Sequence, residues 1–350
     1  MLAAETKPVP KPERRTLSGQ ERNAAWVEIS EPLAPFLGEV RAFLEKQVES
    51  FEAEVAPGAR YALSASGKQL RPVLVALGAQ AAGGLLPAHV TGAAIVELVH
   101  LATLVHDDVI DAAGVRRRQP TVAARFGNQT AVLLGDCLFA HALNLAAGFP
   151  TTDVCRVVAN GTKAVCSGEI LQTLRKGSLD QSTDDYFRVI RLKTAELFAL
   201  ACELGALLSG APTVKCEALR QFGIAFGTAY QVFDDCLDVF GNEESAGKTL
   251  GTDLATGKVT LPLLLTHQRA SPADRATLER LHHRHASGQS DGFRALLERY
   301  EAGPLSRRVV ESYLVAARDS LQPLSDQPDT KALLALTHYL GAQVQRLAET

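Results

Sequence analysis

Aromatic residues are scarce in this 350-residue sequence, at 6%, with one Trp and one Met. Aliphatic Ala, Leu and Val must therefore fill the interior of a chain that is 46% hydrophobic. That mixture favours helix packed on helix over a β-sandwich, which draws on β-branched and aromatic residues. An excess of basic charge is also missing. The formal net charge is −3, which removes the broad positive surface that a nucleic-acid partner needs. Any anionic ligand must then be held by a few placed cations. Cysteine pairs are absent too: Cys137, Cys155, Cys166, Cys202, Cys216 and Cys236 are irregularly spaced, with no Cys-x-x-Cys. They read as buried reduced thiols rather than a zinc site or a disulfide framework. The first residues lack the apolar core of a signal peptide. The most apolar stretches, Val90–Val105 and Thr194–Leu208, carry Glu97, Glu196 and Glu203 and read as too short or too charged to span a bilayer. A cytoplasmic location is expected.

Residues 1–23 are rich in Pro, Lys, Arg and Glu without apolar periodicity, which predicts a disordered leader. Residues 24–350 read as a single all-α domain of helices broken by Gly- or Pro-bearing turns. Predicted helices include Leu33–Ala56, Leu70–Ala82, Pro87–Ala112, Asn128–Ala147, Val154–Arg175, Thr183–Ser209 and Lys215–Phe240, several of them apolar nearly all round. Beyond Ala270 the helices turn polar and are expected to wrap the outside. His282-His283-x-His285 reads as a solvated helix end rather than a metal site.

The strongest chemical signal is Asp107-Asp108-Val109-Ile110-Asp111, which ends an otherwise apolar helix. Asp107 and Asp111 fall one turn apart on one face. Carboxylates so close repel each other, and burial would raise their pKa values, so the arrangement calls for a cation between them. Hard oxygen ligands without matching His or Cys indicate Mg²⁺ rather than zinc. The pattern returns at Asp234-Asp235-Cys236-Leu237-Asp238. One such run could be a solvated helix end, but two with identical spacing, each following an apolar helix, form a facing pair suited to a diphosphate. The cations for that diphosphate occur nearby. Lys68 and Arg71 stand at a helix start, where free N–H groups also favour anions. Arg116 and Arg117 follow the first Asp cluster. Lys193-Thr194 lies on a helix, and Lys248 and Lys258 flank a glycine-rich loop able to close over phosphates.

In this order and spacing the residues resemble the trans-isoprenyl (polyprenyl) diphosphate synthase family, from about Leu33 to the C-terminus. The matching elements are Gly67-Lys68-x-x-Arg71-Pro72, Glu97 through Asp111, Arg116-Arg117 with Pro120-Thr121, Gly135-Asp136, Gly168-Glu169-x-x-Gln172 and Lys193-Thr194. Tyr230-Gln231-x-x-Asp234-Asp235-x-x-Asp238 and Gly247-Lys248 through Pro262 complete the set. The resemblance implies an all-α bundle around a central cavity, usually a homodimer. It implies that Asp107, Asp108, Asp111, Asp234 and Asp238 hold Mg²⁺, with Asp235 and Lys193 also catalytic. Arg116, Lys193, Lys248 and Lys258 would bind the allylic diphosphate. Lys68, Arg71, His100 and Arg117 would bind isopentenyl diphosphate, assisted by Thr194 and Gln231. Arg118-Gln119 departs from the family's usual Gly and basic residue after the Arg pair, and Arg118 is expected to face solvent.

Ala102 and Thr103 stand five and four residues before Asp107. In the resembled family, bulky aromatics there cap short products, and small residues let the growing tail pass. A long product, hexaprenyl to decaprenyl, is expected, with transient contact to a membrane surface at its release. The rivals are a short-chain farnesyl or geranylgeranyl synthase, a non-catalytic partner subunit and a terpene cyclase. The cyclase is disfavoured by the second Asp-x-x-Asp run and by the Lys68/Arg71 site, which would serve no purpose there.

Overall fold

The computed structural model of the chain describes residues 26–64, 67, 69–117, 119–243, 249–285, 292–324 and 328–347. The expected leader over residues 1–23 lies outside them, as do Lys68, Arg118 and Lys248. After a helical segment over residues 26–30 come α1 (Ala34–Val48), α2 (Ala56–Ser64) and α3 (Leu70–Ala82). The single long helix expected up to Ala56 thus breaks after Val48, and a second helix starts at Ala56. Next is α4 (Ala88–Ile110), which leads into a hairpin of two-residue strands, β1 (Val115–Arg116) and β2 (Gln119–Pro120). The short α5 (Val122–Phe126), α6 (Asn128–Ala147) and α7 (Thr152–Leu174) follow. Thr121 starts α5 by accepting a hydrogen bond from the Ala124 amide, a side-chain N-cap.

Ser182 and Asp185 form a capping box at the start of α8 (Thr183–Ile190), each satisfying an amide that the first turn leaves open. This helix passes through a π turn, Arg191–Ala195, into α9 (Glu196–Leu208). α10 (Thr213–Phe240) is the longest element; α11 (Thr252–Ala255) and α12 (Leu261–Arg269) carry the chain past the glycine-rich loop. α13 (Pro272–His285), α14 (Phe293–Arg299), α15 (Ala302–Ser320) and α16 (Lys331–Arg346) complete the bundle.

Buried apolar side chains from Ile29 to Val344 form one contiguous core. Its centre is α3, α4 and α9, which are apolar nearly all round, with the buried face of α10. Between α9 and α10 the rings of Phe198, Phe222 and Phe226 pack together, with the last two stacked at 5.7 Å. Each such ring contributes about 2–3 kcal/mol by leaving water. The register of this pair is fixed by Arg220, which donates to Glu196 (2.6 Å) and Glu203 (3.2 Å).

Three expectations need correction. The polar C-terminal helices do not all lie outside the core: α15 packs along α10 and buries Ala302, Val310, Leu314 and Ala317. A narrow apolar stripe suffices for that contact, although the helix is polar on average. His282 is buried rather than solvated, while the side chains of His283 and His285 lie outside the described residues. Of the cysteines, only Cys202 and Cys236 are buried, and Cys166 is exposed. Among the described residues two helices, α4 and α6, are also long and apolar enough to cross a membrane by length and composition. α4 meets that test as the core helix of the bundle, whereas α6 leaves Val132, Leu133 and Leu143 on an exposed face.

Candidate active site

Apolar through most of its length, α4 ends in the first carboxylate cluster, with Asp111 as its C-cap. Each acid there meets a cation from a different element. Lys193 of the π turn stands 3.6 Å from Asp107 and also pairs with Glu169 of α7. Arg116 of β1 donates to Asp108 at 2.7 Å. Lys176, just past the end of α7, stands 3.6 Å from Asp111. Burial pushes the Asp107 carboxyl up to about 6 even though Lys193 pulls it down. Asp108 is raised by burial as well, against Arg116. These acids hold protons more readily than free carboxylates, as expected of a site poised to take more positive charge.

The second cluster lies within the last two turns of α10. Asp235 is wholly buried. Its Oδ2 accepts from the Tyr186 hydroxyl (2.7 Å), and its Oδ1 accepts from Gln231 (2.7 Å) and Lys258 (3.1 Å). Burial pushes Asp235 up to about 6 against the pull of Lys258. Burial alone would lower the Lys258 ammonium, but Asp235 and Asp253 overcome it and hold the group above its ordinary value. Asp238 accepts from the Thr252 amide and hydroxyl and from the Asp253 amide, so it fastens the start of α11 beneath the glycine-rich loop. Asp234 is half-buried on the same helix.

Between the clusters is a cavity of about 270 Å³, lined by Asp111, Glu169, Gln172, Lys193, Asp253 and Lys258 among others. Among the described residues no three His, Cys, Asp or Glu side chains already converge as a closed metal cage.

A second pocket along α4, of about 40 Å³, is lined by Gly67, Glu97, His100, Asp108, Arg116 and Arg117 among others. Arg71 borders it, with its guanidinium 5.1 Å from the centre of the Phe198 ring and its Nε buried without a hydrogen-bond partner. Burial lowers Arg71 to about 10, opposed by Glu97. His100 is held well below its ordinary value by burial and then by Arg71, Arg117 and Arg116, so its imidazole is neutral. Glu97 is raised by burial against the pull of Arg71 and Arg117. Arg117 adopts a left-handed backbone (φ 51°), and its guanidinium lies over Gly67. A Cβ at Gly67 would stand 2.6 Å from it, so no other residue fits without displacing Arg117.

The two carboxylate clusters are joined through the π turn. Its wider winding lets adjacent residues serve different neighbours: Lys193 faces Asp107, and Thr194 donates to Gln231 at 2.9 Å. Gln231 in turn donates to Asp235. The turn is seated against Gly168 of α7, where a Cβ would collide with the Lys193 backbone. Thus the structure gathers Asp107, Asp108, Asp111, Arg116 and Lys193 at one cluster, and Asp235, Asp238, Gln231 and Lys258 at the other. Arg71, His100 and Arg117 form a third group, which adjoins the first cluster because Asp108 and Arg116 line the same pocket as His100 and Arg117. Ala102 is buried and Thr103 half-buried on α4 below Asp107. Sequence reasoning passed over Tyr186 and Lys176. Tyr186, seven residues before Lys193, falls two turns away on the same helical run, a spacing signal that was available; Lys176 gave none.

The polyprenyl synthetase family model matches residues 52–299. The all-trans-nonaprenyl-diphosphate synthase (geranyl-diphosphate specific) of Rhodobacter capsulatus is 34% identical over 319 residues, 91% of this chain and 98% of that relative. A decaprenyl diphosphate synthase from the same organism superposes with a TM-score of 0.84 at 34% identity, covering 92% of this chain and 99% of that one. A Caulobacter crescentus CB15 polyprenyl synthase, complexed with calcium and isoprenyl diphosphate, gives a TM-score of 0.81 at 31% identity, with 94% and 99% covered. This chain belongs to the polyprenyl synthetase family.

Proposed function

We propose that this chain is an all-trans polyprenyl diphosphate synthase that joins isopentenyl diphosphate to an allylic diphosphate and makes a long product, hexaprenyl to decaprenyl. One observation carries the reading: two cation-bearing pockets lie next to each other along the C-terminal half of α4. One is rich in carboxylates and lysines; the other is built from Arg71, Arg117 and a neutral His100. A reaction between two diphosphates needs two such sites.

Asp107, Asp108, Asp111 and Asp234 are the residues that would hold Mg²⁺; Asp238, already bonded to α11, would join them less readily. When bound, Mg²⁺ would neutralise charge on the departing diphosphate. Arg116, Lys193 and Lys258 assist by holding that group in place. At the second pocket, Arg71 and Arg117 hold isopentenyl diphosphate. The Arg71 Nε, buried without a hydrogen-bond partner, supplies a donor there, and the Glu97 carboxylate balances part of the charge of both guanidinium groups. The allylic C–O bond breaks to leave an allylic cation and the diphosphate, the double bond of isopentenyl diphosphate attacks that cation, and the proton then lost goes to the departing diphosphate. Buried Leu98, Val99, Leu101 and Ala102 exclude the water that would otherwise quench the allylic cation.

The small Ala102 and Thr103 support the long product, and so do the long-chain names of the relatives. The exposed apolar face of α6, bearing Val132, Leu133 and Leu143, supports a homodimer in which a second copy covers it. We place the enzyme in the cytoplasm, with transient contact to a membrane surface when the product leaves. The test is to incubate the purified chain with Mg²⁺, labelled isopentenyl diphosphate and farnesyl diphosphate, and to size the dephosphorylated products. Chains longer than geranylgeraniol are expected, and Thr103→Phe should shorten them. Failure to extend farnesyl, geranyl or dimethylallyl diphosphate would remove the reading.

A further inference from the structure

The three carboxylates of the first cluster are each answered by one cation: Asp107 by Lys193 at 3.6 Å, Asp108 by Arg116 at 2.7 Å, and Asp111 by Lys176 at 3.6 Å. Two of these cations belong to the allylic diphosphate site as proposed above. The third stands in the same relation to its acid, one helical turn further along α4, and lines the same 270 Å³ cavity as Lys193 and Lys258. We propose that Lys176 is a further binding residue for the allylic diphosphate, freed from Asp111 when a divalent cation takes that carboxylate. The inference rests on the function proposed above.

Local structure supports it. The turn after α7 carries two cations, and they are held differently. Arg175 donates to Asp185 at 2.9 Å, so its charge is already used within the capping box of α8. Among the described residues Lys176 meets only the more distant Asp111, and its side chain is 44% exposed, which gives the ammonium room to swing. The turn is itself tied to the glycine-rich loop, because the Gly177 amide donates to the Gly257 carbonyl at 3.0 Å. Gly257 directly precedes Lys258, so the two lysines are carried by segments that share a backbone hydrogen bond. A divalent cation on Asp107 and Asp111 removes the charge that now holds Lys193 and Lys176, and a diphosphate is the anion that would take up both.

The experiment compares the wild-type chain with Lys176→Gln and Lys176→Arg. Inorganic diphosphate is titrated calorimetrically in the presence of Mg²⁺, and KM is measured separately for the allylic primer and for isopentenyl diphosphate. Lys176→Gln is expected to weaken diphosphate binding and raise the primer KM by roughly tenfold. The KM for isopentenyl diphosphate and the melting temperature should stay at wild-type values. Lys176→Arg keeps the charge and should retain most of the affinity. Unchanged diphosphate binding in Lys176→Gln would overturn the inference. So would tighter Mg²⁺ binding alone, which would make Lys176 a counter-ion for Asp111 and nothing more. If the wild type itself neither binds diphosphate nor turns over, the proposed function falls and takes this inference with it.

Discussion

The Asp107–Asp111 and Asp234–Asp238 runs have the same spacing, yet they sit in unlike surroundings. The first ends its helix, and its acids meet three cations brought by three separate elements. The second lies inside its helix, where two of its acids are bonded into the scaffold. Asp235 joins Tyr186, Gln231 and Lys258, and Asp238 fastens α11. Spacing along a helix therefore sets which residues share a face. The chain that folds back over that face decides whether they meet a ligand or the protein itself.

The comparison breaks most readily with paired substitutions. Asp107→Asn should cost about 10³-fold in turnover and leave stability equal or higher, because it removes a charge that burial disfavours. Wild-type turnover, or a large drop in melting temperature, would show that this acid too is structural. Asp235→Ala should behave the other way. It strips Tyr186, Gln231 and Lys258 of their shared acceptor in a buried site and should lower unfolding free energy by about 3 kcal/mol, read by urea denaturation. A variant as stable as wild type would erase the distinction between the clusters.

A pH series sharpens the contrast. Both Asp107 and Asp235 are pushed up to about 6 from an ordinary 3.8. A raised folded value means the native state binds the proton more tightly than the unfolded chain does. The stabilising contribution is therefore full below about 4 and lost as pH rises through about 6. Metal-free protein should gain stability from these two groups on acidification across that window. Binding of Mg²⁺ must expel the Asp107 proton, so the half-saturating Mg²⁺ concentration should rise about tenfold per pH unit below 6. A flat Mg²⁺ titration between pH 7 and 5 would detach Asp107 from the metal. The smallest effect is expected from Asp238→Ala, which removes a cap worth about 1 kcal/mol. It should raise the primer KM by loosening the loop that carries Lys258, while leaving the KM for isopentenyl diphosphate as it was.

Much of this was legible in the sequence, because apolar periodicity and turn residues are local signals. Leu70–Ala82 and Asn128–Ala147 fall where the pattern places them. Both Asp runs, Arg71, Arg116 and Lys193 announce themselves by charge in apolar surroundings. What escaped depends on long-range folding. The use of Asp238 as a cap requires α11 to return beneath α10, and the Tyr186 bond to Asp235 spans 49 positions. The break after Val48 was missed because Ser50 to Val55 carries no proline or glycine to mark it. α15 looked like an outer helix because average polarity hides the narrow stripe that seats it on α10.

The π turn at Arg191–Ala195 limits how this chain can diverge. Regularising the turn by deleting one residue would rotate everything before it by about 100° relative to α9, carrying Tyr186 away from Asp235 and Lys193 away from Asp107. Filling the space at Gly168 would push against the same backbone. Neither change can be accepted alone, so two neighbouring helices are bound to a shared history. Descendants of this sequence can vary freely around that seam, but can leave it only by altering both sides at once.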